Sequence, residues 1–128
     1  MNVIASTVSL SVDDVPASAR FFESHLGFRE VVSGDGFVWL GRDDAAVDIV
    51  VRQRDAVRPP GSGIGGRTDM IVTFAVVGLA AEHERLRREG AAITTPLHQK
   101  PWGEWRLCLT DPNGVVVQLA EWTPPSGA

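Results

Sequence analysis

Few side chains in this 128-residue sequence can do chemistry, and their types favour binding over catalysis. Four tryptophans, Trp39, Trp102, Trp105 and Trp122, stand without a single tyrosine. An indole face stacks a planar ligand or holds a cation, the latter for about 0.5–2 kcal/mol. Asp48 is a carboxylate suited to a ligand amine, and Gln118 can donate and accept together. His98, in Leu97-His-Gln-Lys-Pro-Trp102, is placed to contact a ligand or act as a base near neutral pH. His25 and His83 fall within helical patterns and read as ordinary helix residues. Nothing resembles a nucleophilic centre, because the serines lack a Gly-x-Ser-x-Gly context and Cys108 has no histidine beside it. A lone cysteine also excludes an intramolecular disulfide and any multi-cysteine metal site, and Cys108 reads as a buried, inert thiol. Gly61, Gly63 and Gly66 satisfy G-x-G-x-x-G. They follow Pro59-Pro60 and precede a strand rather than a helix, so no helix N-terminus is present to meet a phosphate.

The elements that must position these residues are written twice. Ser9-Leu-Ser-Val12-Asp-Asp-Val15 opens one run, and Thr73-Phe-Ala-Val76-Val-Gly-Leu79 opens another. Each reads as an alternating strand, a turn and an amphipathic helix that closes at a glycine, Gly27 or Gly90. In the first helix Val15, Ala19, Phe22 and Leu26 form an apolar stripe, and Pro16 suits its first turn. Strands are predicted near 3–12, 28–33, 36–41 and 45–52, then 69–76, 92–97, 103–110 and 115–121, with the second helix near 79–89. Ser33-Gly-Asp-Gly36, Arg42-Asp-Asp44 and Asp111-Pro-Asn-Gly114 are the turn signals. The outcome is an α+β chain of two βαβββ modules in one domain: module one 1–52, a linker 53–68, module two 69–122 and a tail 123–128. Each module alone is marginal in size, so the two are expected to fold against each other.

Period-two alternation separates the faces. Val8, Leu10 and Val12, then Val47, Ile49 and Val51, should lie under the first helix. Val72, Phe74 and Val76, then Val115, Val117 and Leu119, should lie under the second. The opposite face carries Thr7, Ser9, Ser11, Ala46, Asp48, Val50, Ile71, Thr73, Ala75, Val116, Gln118 and Ala120. Those side chains are too small to fill a concave sheet and too uncharged for an ordinary solvated face, which suggests a ligand cavity. Phe37 and Trp39 share a phase and are expected in its lining. The phase of Trp105 and Arg106 stays open, because Arg106 lies between two bulky apolar residues. Trp122 is expected to pack in the core or at a dimer interface.

Composition excludes other classes. A formal net charge of −4 argues against nucleic acid. No apolar stretch approaches 18 residues, and no signal-like segment opens the chain, so a cytoplasmic protein without a membrane partner is expected.

The Val12-Asp-Asp-Val-Pro-Ala-Ser-Ala-Arg-Phe-Phe…Leu26-Gly-Phe28 segment and the closing Asp111-Pro-Asn-Gly-Val-Val-Val-Gln-Leu119 resemble the vicinal oxygen chelate superfamily. That group includes glyoxalase I, extradiol dioxygenases and bleomycin-resistance proteins. The resemblance implies sheets curled into a cup, a homodimer, and a divalent metal in the enzymes or a drug in the resistance proteins. Its metal positions, one on each of the first, fourth, fifth and eighth strands, fall on Thr7, Asp48, Ile71 and Gln118. Only Asp48 is a strong ligand, so neither metal nor other cofactor is expected. The favoured reading is a protein that sequesters a small aromatic or cationic molecule, with Thr7, Trp39, Asp48, His98, Trp102 and Gln118 in contact. The alternative is an enzyme of the same superfamily, a lyase, isomerase, cyclase or dioxygenase. It would use an atypical metal site, or a metal-free mechanism with Asp48 or His98 as base.

Overall fold

The computed structural model describes residues 1–3, 5–45, 47–54 and 71–122. The chain divides into two compact units, Met1–Thr68 and Asp69–Ala128. The assigned linker, its glycine motif and the tail lie almost wholly outside the described residues.

Unit 1 contains β1 (Thr7–Val12), α1 (Val15–Leu26), β2 (Arg29–Gly34), β3 (Phe37–Gly41) and β4 (Asp48–Gln53). Its sheet has the order β1-β4-β3-β2, with β1 and β4 parallel and the other pairs antiparallel. Unit 2 contains β5 (Ile71–Ala75), α2 (Leu79–Arg88), β6 (Ile93–Gln99), β7 (Trp105–Thr110) and β8 (Val116–Glu121). Its sheet has the order β5-β8-β7-β6, with β5 and β8 parallel. Both units are therefore open four-stranded mixed sheets of βαβββ topology.

Hydrophobic burial follows the alternation. Leu10, Val12, Leu40, Ile49 and Val51 are buried with Val15, Ala19, Phe22 and Leu26 of α1. In unit 2, Val72, Leu107, Leu109, Val117 and Leu119 are buried with Leu79 and Leu86 of α2. Phe22 meets Phe28 edge to face, the geometry that ring quadrupoles favour. Trp122 is 55% exposed, so it is no part of the core.

Strand boundaries depart from the sequence reading where a strand lacks a partner. β1 starts at Thr7, because its neighbour β4 starts at Asp48, whose N–H donates to the Ser6 carbonyl. Earlier residues have no strand to pair with. β4 itself is shortened by a turn in which the Ala45 N–H bonds the Arg42 carbonyl. β7 starts at Trp105, because residues 100–104 form a turn closed by the Lys100 N–H to Glu104 carbonyl bond. β6 extends to Gln99 through Pro96, which an edge strand tolerates.

The two helices begin differently. Asp14 caps α1, its carboxylate accepting from the Ala17 N–H, a standard use of aspartate at this position. Gly78 precedes α2 and has no side chain to cap it. Glu121 at the end of β8 does so instead, accepting from the Leu79 N–H at 3.0 Å and the Gly78 N–H at 2.8 Å. Arg42 ties down the other end of α1, donating to the Leu26 carbonyl and holding Asp44 by two bonds.

Asp111 is buried and fastens the β7–β8 turn: its Oδ1 accepts from the Asn113 and Val115 N–H groups, both at 2.8 Å. Asp111→Ala leaves those donors without their acceptor and should cost about 1–3 kcal/mol in urea unfolding. Hydrogen bonds from Leu79 and Gly78 hold the Glu121 carboxyl below its ordinary range. Its contribution is therefore full above the unfolded glutamate value of about 4.3 and fades as pH falls through the folded one. Glu121→Ala should lower the melting temperature at pH 7 and converge with the wild type at the acid end.

Candidate functional site

The face of each sheet away from its helix holds the candidate residues. In unit 1 the register sets Thr7 beside Asp48 and Trp39 beside Val50. Trp39 and Asp48 are half-buried and bonded, the indole Nε1–H donating to Asp48 Oδ2 at 2.9 Å. That bond fixes the indole and carboxylate relative to each other. Space for the carboxylate comes from Gly41, where a Cβ would lie 3.2 Å from Asp48 Oδ1 and 3.1 Å from Val31 Cγ2. Phe37 takes the same phase as Trp39, across from Arg52 and Gly34. Three of the expected residues, Thr7, Trp39 and Asp48, thus share one face of unit 1.

In unit 2 the register aligns Thr73, Gln118 and Cys108 across β5, β8 and β7. Gln118 Nε2 lies 3.5 Å from Thr73 Oγ1, and Cys108 Sγ lies 4.0 Å from Gln118 Oε1, both weak contacts. Cys108 is half-buried on this face rather than sealed in the core. One step along, the register aligns His98, Arg106 and Ala120. His98 Nδ1 lies 2.9 Å from the Pro96 carbonyl. A carbonyl only accepts, so Nδ1 carries the proton and Nε2 is the acceptor of the neutral ring. His98 is thus inside β6, a strand residue rather than a loop residue before β7.

The register also settles the phase of β7. Trp105 pairs with Glu121 and lies in phase with buried Leu107, whereas Arg106 takes the open face. Arg106 sits 5.5 Å from the Trp102 ring centroid and donates from Nε to Glu104. The Arg106 bond holds the Glu104 carboxyl below its ordinary range. Trp102 was legible as a candidate. Arg106 and Glu104 were not, since nothing in Trp105-Arg106-Leu107 signals which residue turns outward.

The metal positions need a correction. Unit 1 pairs Thr7 with Asp48 and Ser9 with Val50; unit 2 pairs Ile71 with Val116 and Thr73 with Gln118. With Thr7 matched to Ile71, the unit 1 counterpart of Gln118 is Val50, not Asp48. The repeated set is then Thr7, Val50, Ile71 and Gln118, two hydrocarbons and two neutral oxygens. Divalent cations that need several charged or imidazole donors do not fit this set, even with Asp48 nearby.

Residues 4–119 match the family model of the Glyoxalase/Bleomycin resistance protein/Dioxygenase superfamily. No curated protein matches the chain. Among solved structures, TioX from Micromonospora sp. ML1 is similar at 23% identity and a TM-score of 0.72, covering 94% of this chain and 100% of its own. TnmS3, an antibiotic binding protein from Streptomyces sp. CB03234, is similar at 20% identity and a TM-score of 0.74, covering 95% and 98%. Lactoylglutathione lyase from Agrobacterium tumefaciens is similar at 17% identity and a TM-score of 0.72, covering 94% of each chain. At these identities the likeness is one of fold.

The Trp39–Asp48 pair generates a direct test. Trp39→Phe keeps an aromatic ring but removes the donor, and should cost about 1 kcal/mol in urea unfolding. Gly41→Ala should leave the fold intact but crowd the carboxylate, detectable as a shifted Trp39 indole N–H resonance in NMR spectra.

Proposed function

The chain belongs to the glyoxalase/bleomycin resistance protein/dioxygenase superfamily, and we propose that it is a metal-free member that binds and sequesters a small aromatic or cationic molecule. The observation that supports this most is the pairing of Trp39 with Asp48 on the face of the unit 1 sheet away from its helix. An indole held against a carboxylate offers a stacking surface and an anionic acceptor side by side, suiting a flat ring that carries an amine. Thr7, in register beside Asp48, adds a hydroxyl to the same face. Gln118 and His98 offer neutral hydrogen-bonding groups on the open face of unit 2, and Trp102 a second indole. That one similar structure is TnmS3, an antibiotic binding protein, favours an antibiotic as the natural ligand.

Sequestration needs tight binding and no turnover, so the residues have only to position and enclose the guest. A bond from Trp39 keeps Asp48 oriented before a ligand arrives, which lowers the ordering cost of binding. We place the protein in the cytoplasm as a homodimer, with its two units working as one domain.

The enzymatic alternative draws on His98, whose Nδ1 bond leaves Nε2 as an acceptor, and on the structural likeness to a lactoylglutathione lyase. The neutral donors at the repeated positions favour its metal-free form over one with an atypical metal site.

Titration with bleomycin and a panel of planar aromatic antibiotics is the test. At least one compound should quench tryptophan fluorescence and raise the melting temperature, about 2.7 kcal/mol of stabilisation being expected at a hundredfold excess over Kd. Asp48→Asn should weaken a cationic binder by tenfold or more. No response across the panel removes the binding reading. Stoichiometric metal in protein purified without an affinity tag, together with turnover abolished by Asp48→Ala, would replace it with the enzymatic one.

A further inference from the structure

Trp102, Glu104 and Arg106 form a cluster in unit 2. The guanidinium lies 5.5 Å from the indole centroid and donates from Nε to the Glu104 carboxylate. The backbone holds the same segment through the Lys100 N–H to Glu104 carbonyl bond at 2.8 Å and the Gly103 N–H to Lys100 carbonyl bond at 2.9 Å. Gly103 completes the turn with φ +97°, a conformation that favours glycine. Despite these restraints Trp102 remains 58% exposed. A large apolar ring that is fixed in place yet left open is a stacking surface whose ordering cost is already met.

The guanidinium adds direction. Glu104 takes Nε, and among the described residues neither Nη group makes a further hydrogen bond. A guanidinium has a second donor edge, formed by its two Nη groups, that matches two oxygens of a carboxylate or sulfonate. Ala120, in register on one side of Arg106, has only a methyl group to place there. On the other side the register brings His98, which has no negative charge to repel an anion.

We propose that Trp102 and Arg106, braced by Glu104, form a recognition site for a planar aromatic ring that bears an acidic group, the ring on the indole and the acid on the Nη edge. This deepens the binding reading and rests on it for the existence of a small-molecule guest. It assigns the guest of unit 2 an acidic aromatic character, a property separate from the amine that Asp48 of unit 1 would take. Glu104 acts as a positioning residue: it holds the guanidinium against the indole and does not touch the guest.

Three probes with one ring system separate the two ideas: 2-naphthoate, 2-naphthalenemethanol and 2-naphthylmethylammonium, each titrated calorimetrically into the full chain. Naphthoate should bind at least tenfold more tightly than the neutral alcohol. Arg106→Gln should erase that preference while leaving the ammonium probe unaffected, and Trp102→Leu should weaken naphthoate. Glu104→Gln should keep part of the preference and reduce affinity, since the amide still accepts one bond. Unchanged melting curves show that the variants are folded. Equal affinity for naphthoate and the alcohol in the wild type overturns the proposal, as does a preference that survives Arg106→Gln. Asp48→Asn should abolish the ammonium preference alone, so failure at Arg106 is distinguishable from failure of the broader binding reading.

Discussion

The rest of each unit depends on one constraint: a single helix covers one face of a four-stranded sheet. Phe22 and Leu86, both fully buried, mark the centres of the two contacts. The strand residues beneath the helix are accordingly mostly apolar and of a size that packs, because a void or an unpaired polar group there is costly. Alternation then sends the next residue of each strand to the other face, where no helix imposes that demand. The polar and aromatic groups of this protein have accumulated where the packing leaves them free to differ.

The two open faces have differed along related lines. In unit 1 an indole N–H donates to Asp48 from a neighbouring strand. In unit 2 Arg106 donates to Glu104 from two residues away and lies against the Trp102 ring. In unit 1 a carboxylate meets a tryptophan directly, and in unit 2 a cation stands between them. The positions at which a shared metal would need strong ligands are held by Thr7, Val50, Ile71 and Gln118 instead. One topology has thus been fitted with different side chains in its two copies.

Much of this frame was legible in the sequence because it follows from burial. Leu10, Val12, Ile49 and Val51 declare their face by alternating with Ser9, Ser11, Asp48 and Val50. Gly27 and Gly90 declare the helix ends, and both take positive φ. The strand ends were less legible, since a strand stops where its neighbour does, and Thr7 depends on Asp48 forty residues away. Matching Asp48 to Gln118 failed for a related reason. The chain between the paired strands differs in length in the two units, so only the register identifies Val50 as the counterpart. Arg106 escaped because its neighbours Trp105 and Leu107 are both large. The pairing of Trp105 with Glu121 decides which way the strand turns.

The unequal helix caps carry a consequence for the order of folding. α1 takes its cap from Asp14, three residues from the amide it serves, so its first turn can close as soon as that stretch exists. α2 takes its cap from Glu121, more than forty residues further along the chain. Its first turn is completed only when β8, the last strand of the sheet, has docked beside β5. During synthesis the first turn of α1 can therefore close from local contacts, while that of α2 waits for a contact of high sequence separation, the kind that slows folding. Two copies of one topology are in this way set to assemble on different clocks.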